Sequence, residues 1–230
     1  MQIKHVIFDC FGTLISTGNE SLKATKQILD NISSDNSIDI DAREFYKDWK
    51  KIKKEMMSAD EFQTEKKLFE LSLADTFHKY GIEADASIEV EPMIKSLFGD
   101  RRAFPDVKET LEMLDELGAE YAIGSTTDTD SLMYYLEMNQ LEFKHIYTSE
   151  DMKVYKPKKA FYETILEMTG WNREECLFVG DSIIDDVMGP QSIGMKAVLL
   201  DRSGTFNRDE NDVKPDYVIS SLTEIKSLLL

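Results

Sequence analysis

The sequence predicts an α/β fold, in which a parallel sheet carries an inserted helical domain. Short apolar runs rich in β-branched residues alternate with helical patterns along most of the chain. This alternation is typical of a parallel sheet with helices on both faces. The first apolar run, residues 3–8, stops abruptly at Asp9. A long block after that run has almost no strand signal, which indicates a helical insertion.

Six short strands are predicted, and their apolar character is that of buried parallel strands. They cover residues 3–8, 121–125, 145–148, 176–180, 196–200 and 216–219. Helical patterns lie between them, at residues 106–117, 129–138, 159–168 and 185–193. Ligands of such sheets bind at the carboxyl ends of the strands. Polar residues at strand ends are therefore the first candidates for a functional site.

The inserted block covers residues 16–100 and predicts a helical cap domain. It contains charged helical runs at 42–57 and 60–80, and Gly81 ends the second run. Residues 1–15 and 101–230 would then form the core domain. The alternative is two or three surface helices of a single domain, but an all-helical block of this length between two strands favours a separate cap.

The charge of the chain narrows the classes of partner. Lysine and arginine number 27 against 44 acidic residues, a formal net charge of -17. Nucleic-acid binding needs concentrated positive charge, so we expect no nucleic-acid partner. We expect no membrane partner either, because an acidic surface fits poorly with anionic lipid and no stretch of about 20 uncharged apolar residues could span a bilayer. The two cysteines, Cys10 and Cys176, form no dense disulfide framework, which favours a cytoplasmic protein.

Two groups of polar residues follow the first two predicted strands. Asp9 opens the glycine-containing segment 9–13, and a carboxylate held in a tight turn at a strand end can act as a nucleophile. Ser125 and Thr126 end the second strand, where hydroxyl and backbone N–H groups can hold an anionic oxygen. The alternative for each group is capping of the next turn or helix.

Two further groups lie later in the chain. Lys156 would orient the nucleophile and offset the charge of an anionic substrate. Asp181, Asp185 and Asp186 follow an apolar strand, and beside Asp9 they would repel one another unless a cation lay among them. Ligation by oxygen alone indicates Mg²⁺. The alternative is a pair of helix-capping acids, which leaves the preceding apolar strand unexplained.

Together the four groups resemble the haloacid dehalogenase superfamily across nearly the whole chain. The resemblance implies a Rossmann-like core, a helical C1-type cap after the first strand, and an aspartyl-enzyme intermediate. It implies Asp9 as the nucleophile, Ser125 as the hydroxyl that contacts the transferred group, and Lys156 as the stabilising cation. The remaining substrate-binding residues would be Phe11, Gly12, Thr13, Thr126 and Tyr162. The Mg²⁺ ligands would be Asp9, the backbone carbonyl of Phe11, Asp181 and Asp186, with Asp185 as the alternative to Asp186.

The first and fourth motifs resemble different branches of this superfamily. Its phosphatases carry a second aspartate where this chain has Phe11, and an aromatic ring cannot transfer a proton. Phe11 and Tyr162 instead match the 2-haloacid dehalogenases, whose halide product needs no proton. The alternative for Tyr162 is packing, because it faces the apolar side of its predicted helix. Those enzymes work without metal, have small uncharged residues where this chain has Gly180 and Asp181, and carry asparagine at the position of Thr126.

Asp181 decides the order of the hypotheses, because an acid at that position favours a cation and an anionic phosphoryl group. We expect a Mg²⁺-dependent phosphohydrolase acting on a small phosphorylated metabolite, as a monomer or homodimer. Without a proton donor at position 11, simple alkyl phosphates should react slowly. The alternatives are a metal-independent 2-haloacid dehalogenase, and a low-activity or non-catalytic member that binds a ligand or a protein.

Overall fold

The computed structural model describes residues 2–33, 40–207 and 212–229. The chain divides into two compact units, one of Met1–Ser16 and Arg102–Leu230 and the other of Thr17–Arg101. We call them the core unit and the helical unit. Among the described residues, no helix has both the length and the apolar character needed to cross a bilayer.

The core unit is built on a six-stranded sheet in which every neighbouring pair is parallel. The strands are β1 His5–Phe8, β2 Glu120–Ser125, β3 His145–Thr148, β4 Cys176–Gly180, β5 Lys196–Leu200 and β6 Tyr217–Ile219. Their spatial order is β3-β2-β1-β4-β5-β6. The chain runs outward from β1 to β3 and then returns to β4 on the other side of β1. This order places the topological switch point, where such sheets bind ligands, between β1 and β4.

In its described residues, 17–33 and 40–101, the helical unit has five helices and its own apolar core. The helices are α1 Glu20–Ser33, α2 Ala42–Met57, α3 Glu65–Tyr80, α4 Ala86–Glu89 and α5 Glu91–Ser96. Helix α3 begins later than the predicted residue 60, because the Thr64 side chain caps it by accepting the amide of Lys67. Buried aromatic residues fill the centre of the unit, and the Trp49 indole donates to Ser72 Oγ at 2.8 Å.

Among the described residues of the core unit, three of the four predicted helices lie close to their expected positions, and two short helices occur that were not predicted. The helices are α6 Val107–Leu117, α7 Thr129–Asn139, α8 Ser149–Met152, α9 Lys159–Thr169, α10 Gly189–Gln191 and α11 Lys226–Leu229. Two short 3₁₀ segments occur at Arg173–Glu175 and Leu222–Ile225. The helix predicted at 185–193 is instead a π-helical turn, Ile183–Met188, followed by the short α10. We call Ile183–Met188 the π turn.

The central strands of the sheet are buried on both faces, which explains their continuous apolar sequences. Val6 and Phe8 of β1 pack on one face, in a cluster that includes residues of α6 and α7. Ile7 points to the other face and packs in a cluster that includes Phe161 and Ile165 of α9. The sheet is therefore a rigid support for the loops at its carboxyl edge.

Candidate active site at the carboxyl edge of the sheet

Asp9 lies directly after β1, beside the end of β4. Its amide donates to the carbonyl of Val179 at 2.9 Å, which continues the pairing of the two strands. The chain then turns sharply, because the carbonyl of Cys10 accepts from the amides of Leu14 at 2.8 Å and Ile15 at 2.9 Å. Asp9 is only 7% exposed. The turn therefore holds a buried carboxylate at the switch point of the sheet.

Gly12 brings the first and fourth motifs together. Its backbone has φ +98°, a conformation that favours glycine. A Cβ at this position would overlap the carboxylate of Asp181. The absence of a side chain at Gly12 therefore allows Asp181, at the end of β4, to lie against the turn that follows β1.

Lys156 connects two acids inside the site. Its Nζ donates to Asp9 Oδ1 and to Asp186 Oδ1, each at 2.8 Å, and Lys156 is 4% exposed. Burial acts to lower the pKa of Lys156, but the charges of Asp186 and Asp9 outweigh it and hold this pKa above its usual value. The two acids therefore favour the charged form of Lys156, and its bond to Asp9 uses Oδ1 and not Oδ2.

Asp186, and not Asp185, points into the cluster. The Asp186 carboxylate is buried, and it accepts from Lys156 and from the amide of Ser182 at 3.0 Å. A Cβ at Gly180 would overlap this carboxylate, so the glycine makes room for it. Asp185 instead offers its backbone carbonyl to the hydroxyl of Tyr162. The sequence did not show which of these two acids lies nearer the metal, and the π turn points their side chains in different directions.

The three carboxylates of Asp9, Asp181 and Asp186 form a compact group. One oxygen from each lies within 4.8 Å of the others. Burial raises the pKa of Asp9 to about 7, and the nearby charges of Asp186 and Asp181 add to the increase while Lys156 opposes it. Burial and the charge of Asp186 also raise the pKa of Asp181. Lys156 is bonded to only two of these acids, so the group has an excess of negative charge.

This group fits a hard divalent cation. Carboxylate oxygens are the ligands that Mg²⁺ prefers, and it is commonly held by one or two of them together with water molecules. A cation would also relieve the repulsion that raises the pKa values of Asp9 and Asp181. Whether the backbone carbonyl of Phe11 joins such a site stays a prediction.

The hydroxyl residues of the site lie on neighbouring segments. Ser125 ends β2, the strand beside β1, and is 1% exposed, while Thr126 follows it and is half-buried. Thr13 is fully buried, and its Oγ1 has no hydrogen-bond partner among the described residues. Their predicted contacts with substrate remain predictions, but their strand-end positions are those the sequence indicated.

The two aromatic residues of the predicted site have packing partners. The ring of Phe11 meets Tyr135 edge-on, with centroids 5.4 Å apart. Tyr162 is fully buried, and its ring packs against Phe178 at 5.4 Å. Burial, with the charge of Asp186 as a smaller cause, raises the pKa of Tyr162, so its hydroxyl stays protonated.

Sequence reasoning missed two features near the site. Gly189 lies against Tyr162, where a Cβ would overlap the phenolic oxygen, and no pattern in the sequence distinguishes it from other glycines. Arg202 forms a two-point ion pair with Asp106, both bonds at 2.9 Å, and donates to the carbonyl of Thr13 at 3.0 Å. The arginine thereby fixes the end of the Asp9 turn, and only the fold brings these distant residues together.

The fold and the site define an α/β protein with a lysine-bound, acidic centre at the switch point of its sheet. A family model described as haloacid dehalogenase-like hydrolase matches residues 3–194. The chain belongs to this family of hydrolases, as the motifs indicated.

Relatives with different activities match the chain. The (S)-2-haloacid dehalogenase 4A of Burkholderia cepacia is 30% identical over 139 residues, which cover 59% of this chain and 59% of that enzyme. The glyceraldehyde 3-phosphate phosphatase of Pyrococcus furiosus is 25% identical over 234 residues, 99% of this chain and 93% of that enzyme. A putative HAD-hydrolase of Bacillus subtilis, solved bound to magnesium, superposes with a TM-score of 0.73 at 20% identity and covers 100% of this chain and 99% of that one. The last likeness shows the fold alone.

Proposed function

We propose that the protein is a Mg²⁺-dependent phosphohydrolase that acts on a small phosphorylated metabolite. The observation that carries the proposal is the approach of Asp9, Asp181 and Asp186 to within 4.8 Å. Lys156 is bonded to only two of these acids, so the three carboxylates repel one another, and a bound cation would relieve that repulsion. The glycines at positions 12 and 180 leave room for two of these acids, so the local sequence favours the cluster.

In this proposal Asp9 attacks phosphorus with the oxygen that Lys156 leaves unbound. The phosphorus–oxygen bond to the leaving group breaks as the aspartyl phosphate forms, and water then attacks the phosphorus and releases phosphate and the free Asp9 carboxylate. Lys156 keeps Asp9 oriented and offsets negative charge, while Ser125 contacts the phosphoryl group. A bound Mg²⁺ would supply charge neutralisation for the phosphoryl oxygens. The phosphatase of Pyrococcus furiosus, similar over nearly the whole chain, supports this class of reaction.

Phe11 adds a restriction on the leaving group. An aromatic ring packed on Tyr135 cannot protonate a departing alkoxide, and such proton transfer is typically worth about 10²–10⁴-fold in rate. We therefore expect acyl phosphates, phosphoanhydrides and aryl phosphates to be better substrates than alkyl phosphates.

A second candidate is a metal-independent 2-haloacid dehalogenase. Phe11 favours it, because halide leaves without a proton, and so does the similarity to the Burkholderia cepacia enzyme. In this reaction Asp9 would displace halide from carbon, and water would then cleave the resulting ester at the Asp9 carbonyl. Asp181 counts against this candidate, because the metal-independent dehalogenases have a small uncharged residue at that position.

The test is a substrate panel run with Mg²⁺ and again with EDTA. The panel contains acetyl phosphate, p-nitrophenyl phosphate, alkyl phosphates and 2-chloropropionate. We expect phosphate release that needs Mg²⁺ and is abolished by Asp9→Asn. Chloride release that persists in EDTA would establish the second candidate instead. Absence of turnover in every arm would indicate a binding protein without catalysis and would overturn both proposals.

A further inference from the structure

Tyr162 is a fully buried polar side chain of the predicted site, and its hydroxyl is bonded to the acidic segment. Its exposure is 0%, and its ring is enclosed by Phe161 and Phe178, at centroid distances of 5.3 and 5.4 Å. A side chain so enclosed has no surface to offer a substrate. Its hydroxyl donates to the backbone carbonyl of Asp185, in the middle of the π turn.

The π turn is the segment that presents Asp186. A π-helix is wound more widely than an α-helix, so its side chains point in different directions from those of an α-helix. Here Asp186 reaches back to Lys156 and to the amide of Ser182, while the Asp185 carbonyl meets Tyr162. The turn is therefore held at adjacent residues from two sides.

Gly189 makes this contact sterically possible. It ends the π turn, and a Cβ there would overlap both the hydroxyl oxygen and the ring carbon that bears it. The phenol thus occupies space that only a glycine leaves open. Packing and hydrogen bonding together specify one position of Tyr162 against the turn.

We infer that Tyr162 is a positioning residue, which holds the π turn so that Asp186 fixes Lys156 against Asp9. The inference rests on the proposed function and deepens it, because it assigns Tyr162 to the alignment of the acids and not to contact with substrate. Removal of the hydroxyl should misalign Asp186 and leave substrate contacts intact.

The first test needs neither substrate nor metal. Amide hydrogen exchange is measured on the metal-free protein for Ser182, whose N–H is held by Asp186 Oδ2. Tyr162→Phe should accelerate exchange at Ser182 several-fold, while the amide of Ile7 in β1 reports any global loss of stability. The matched control is Tyr147→Phe, which removes a phenolic hydroxyl from the same core cluster. An unchanged Ser182 rate, or an equal change in the control, would overturn the inference.

The second test is a double-mutant cycle of Tyr162→Phe and Asp186→Asn. For each variant we measure kcat, KM and, by calorimetry, the affinity for Mg²⁺. Tyr162→Phe alone should lower kcat by about tenfold, equivalent to the loss of one aligned hydrogen bond, and weaken Mg²⁺ binding with little change in KM. In the Asp186→Asn background the same change should add almost nothing, because Tyr162 acts through Asp186. Additive effects would contradict the inference. Absence of any Mg²⁺-dependent turnover in the wild type would refute the proposed function instead, and the exchange measurement would still decide the role of Tyr162.

Discussion

Replacement of Lys156 by methionine perturbs the site at its electrostatic centre. Methionine keeps the length of the side chain and removes the ammonium group that bonds Asp9 and Asp186 at 2.8 Å each. Both carboxylates are buried, so they lose their main counter-charge without gaining water. Removal of one partner from a buried ion pair costs about 3–5 kcal/mol of unfolding free energy.

For a chain of this size, each kcal/mol lowers the melting temperature by about 2–4 °C, so Lys156→Met should lower Tm by about 6–20 °C. The assay is calorimetry of the metal-free protein at pH 7.5, with Lys159→Met, an exposed lysine at the start of α9, as the control. Lys156 lowers the pKa of Asp9, so its loss should raise that pKa above the wild-type value of about 7. The deficit should therefore shrink as the pH falls toward about 7, where only the variant takes up the proton, and then stay constant at lower pH. A Tm no lower than that of Lys159→Met would refute the reasoning.

Three further predictions concern the turn after β1. Gly12→Ala should strain a residue at φ +98° and push Asp181 aside, which lowers both Tm and the affinity for Mg²⁺. The control Gly204→Ala, at φ +68° with nothing near its Cβ, should lower only Tm. Equal Mg²⁺ affinities in the two variants would count against this reasoning. Asp9→Asn should abolish turnover and yet gain Tm relative to the wild type as the pH rises from 5 to 8 in EDTA. The raised pKa of Asp9 means that its stabilising contribution, present below about pH 4, is lost as the pH rises through 7; a difference in Tm that does not change with pH would be inconsistent with that sign. Phe11→Asp should increase kcat/KM for alkyl phosphates by about tenfold or more and leave acyl phosphates nearly unchanged, and an equal effect on both classes would exclude the absence of a proton donor as the cause.

The architecture of the core unit followed from sequence because its signals are local. Each strand is an apolar run ended by a polar or glycine residue, and the predicted α/β fold with a parallel sheet is confirmed. The order of the strands could not be read in the same way, since it depends on pairing between distant segments. The Arg202–Asp106 ion pair could not be predicted either, because its two residues are also distant in the sequence.

The candidate site was predictable as a set of residues, but its geometry was not. The motifs named Asp9, Lys156 and Asp181, and the structure brings these residues together. They did not distinguish Asp185 from Asp186, because that choice depends on the winding of a π turn that helical periodicity does not reveal. The apolar-facing position of Tyr162 in its helix indicated a packing role, but the side chains that enclose it could not be named, because they come from other segments of the fold.

The central claim is that Asp9 and Asp181 face a common cation. Anomalous diffraction from crystals soaked in Mn²⁺, a substitute for Mg²⁺ with the same preference for oxygen ligands, tests it most directly. We expect one strong peak about 2.1–2.2 Å from a carboxylate oxygen of each residue, close to the Mg²⁺–oxygen distance, and its loss in Asp181→Asn. A peak elsewhere, or none at millimolar Mn²⁺, would contradict the account.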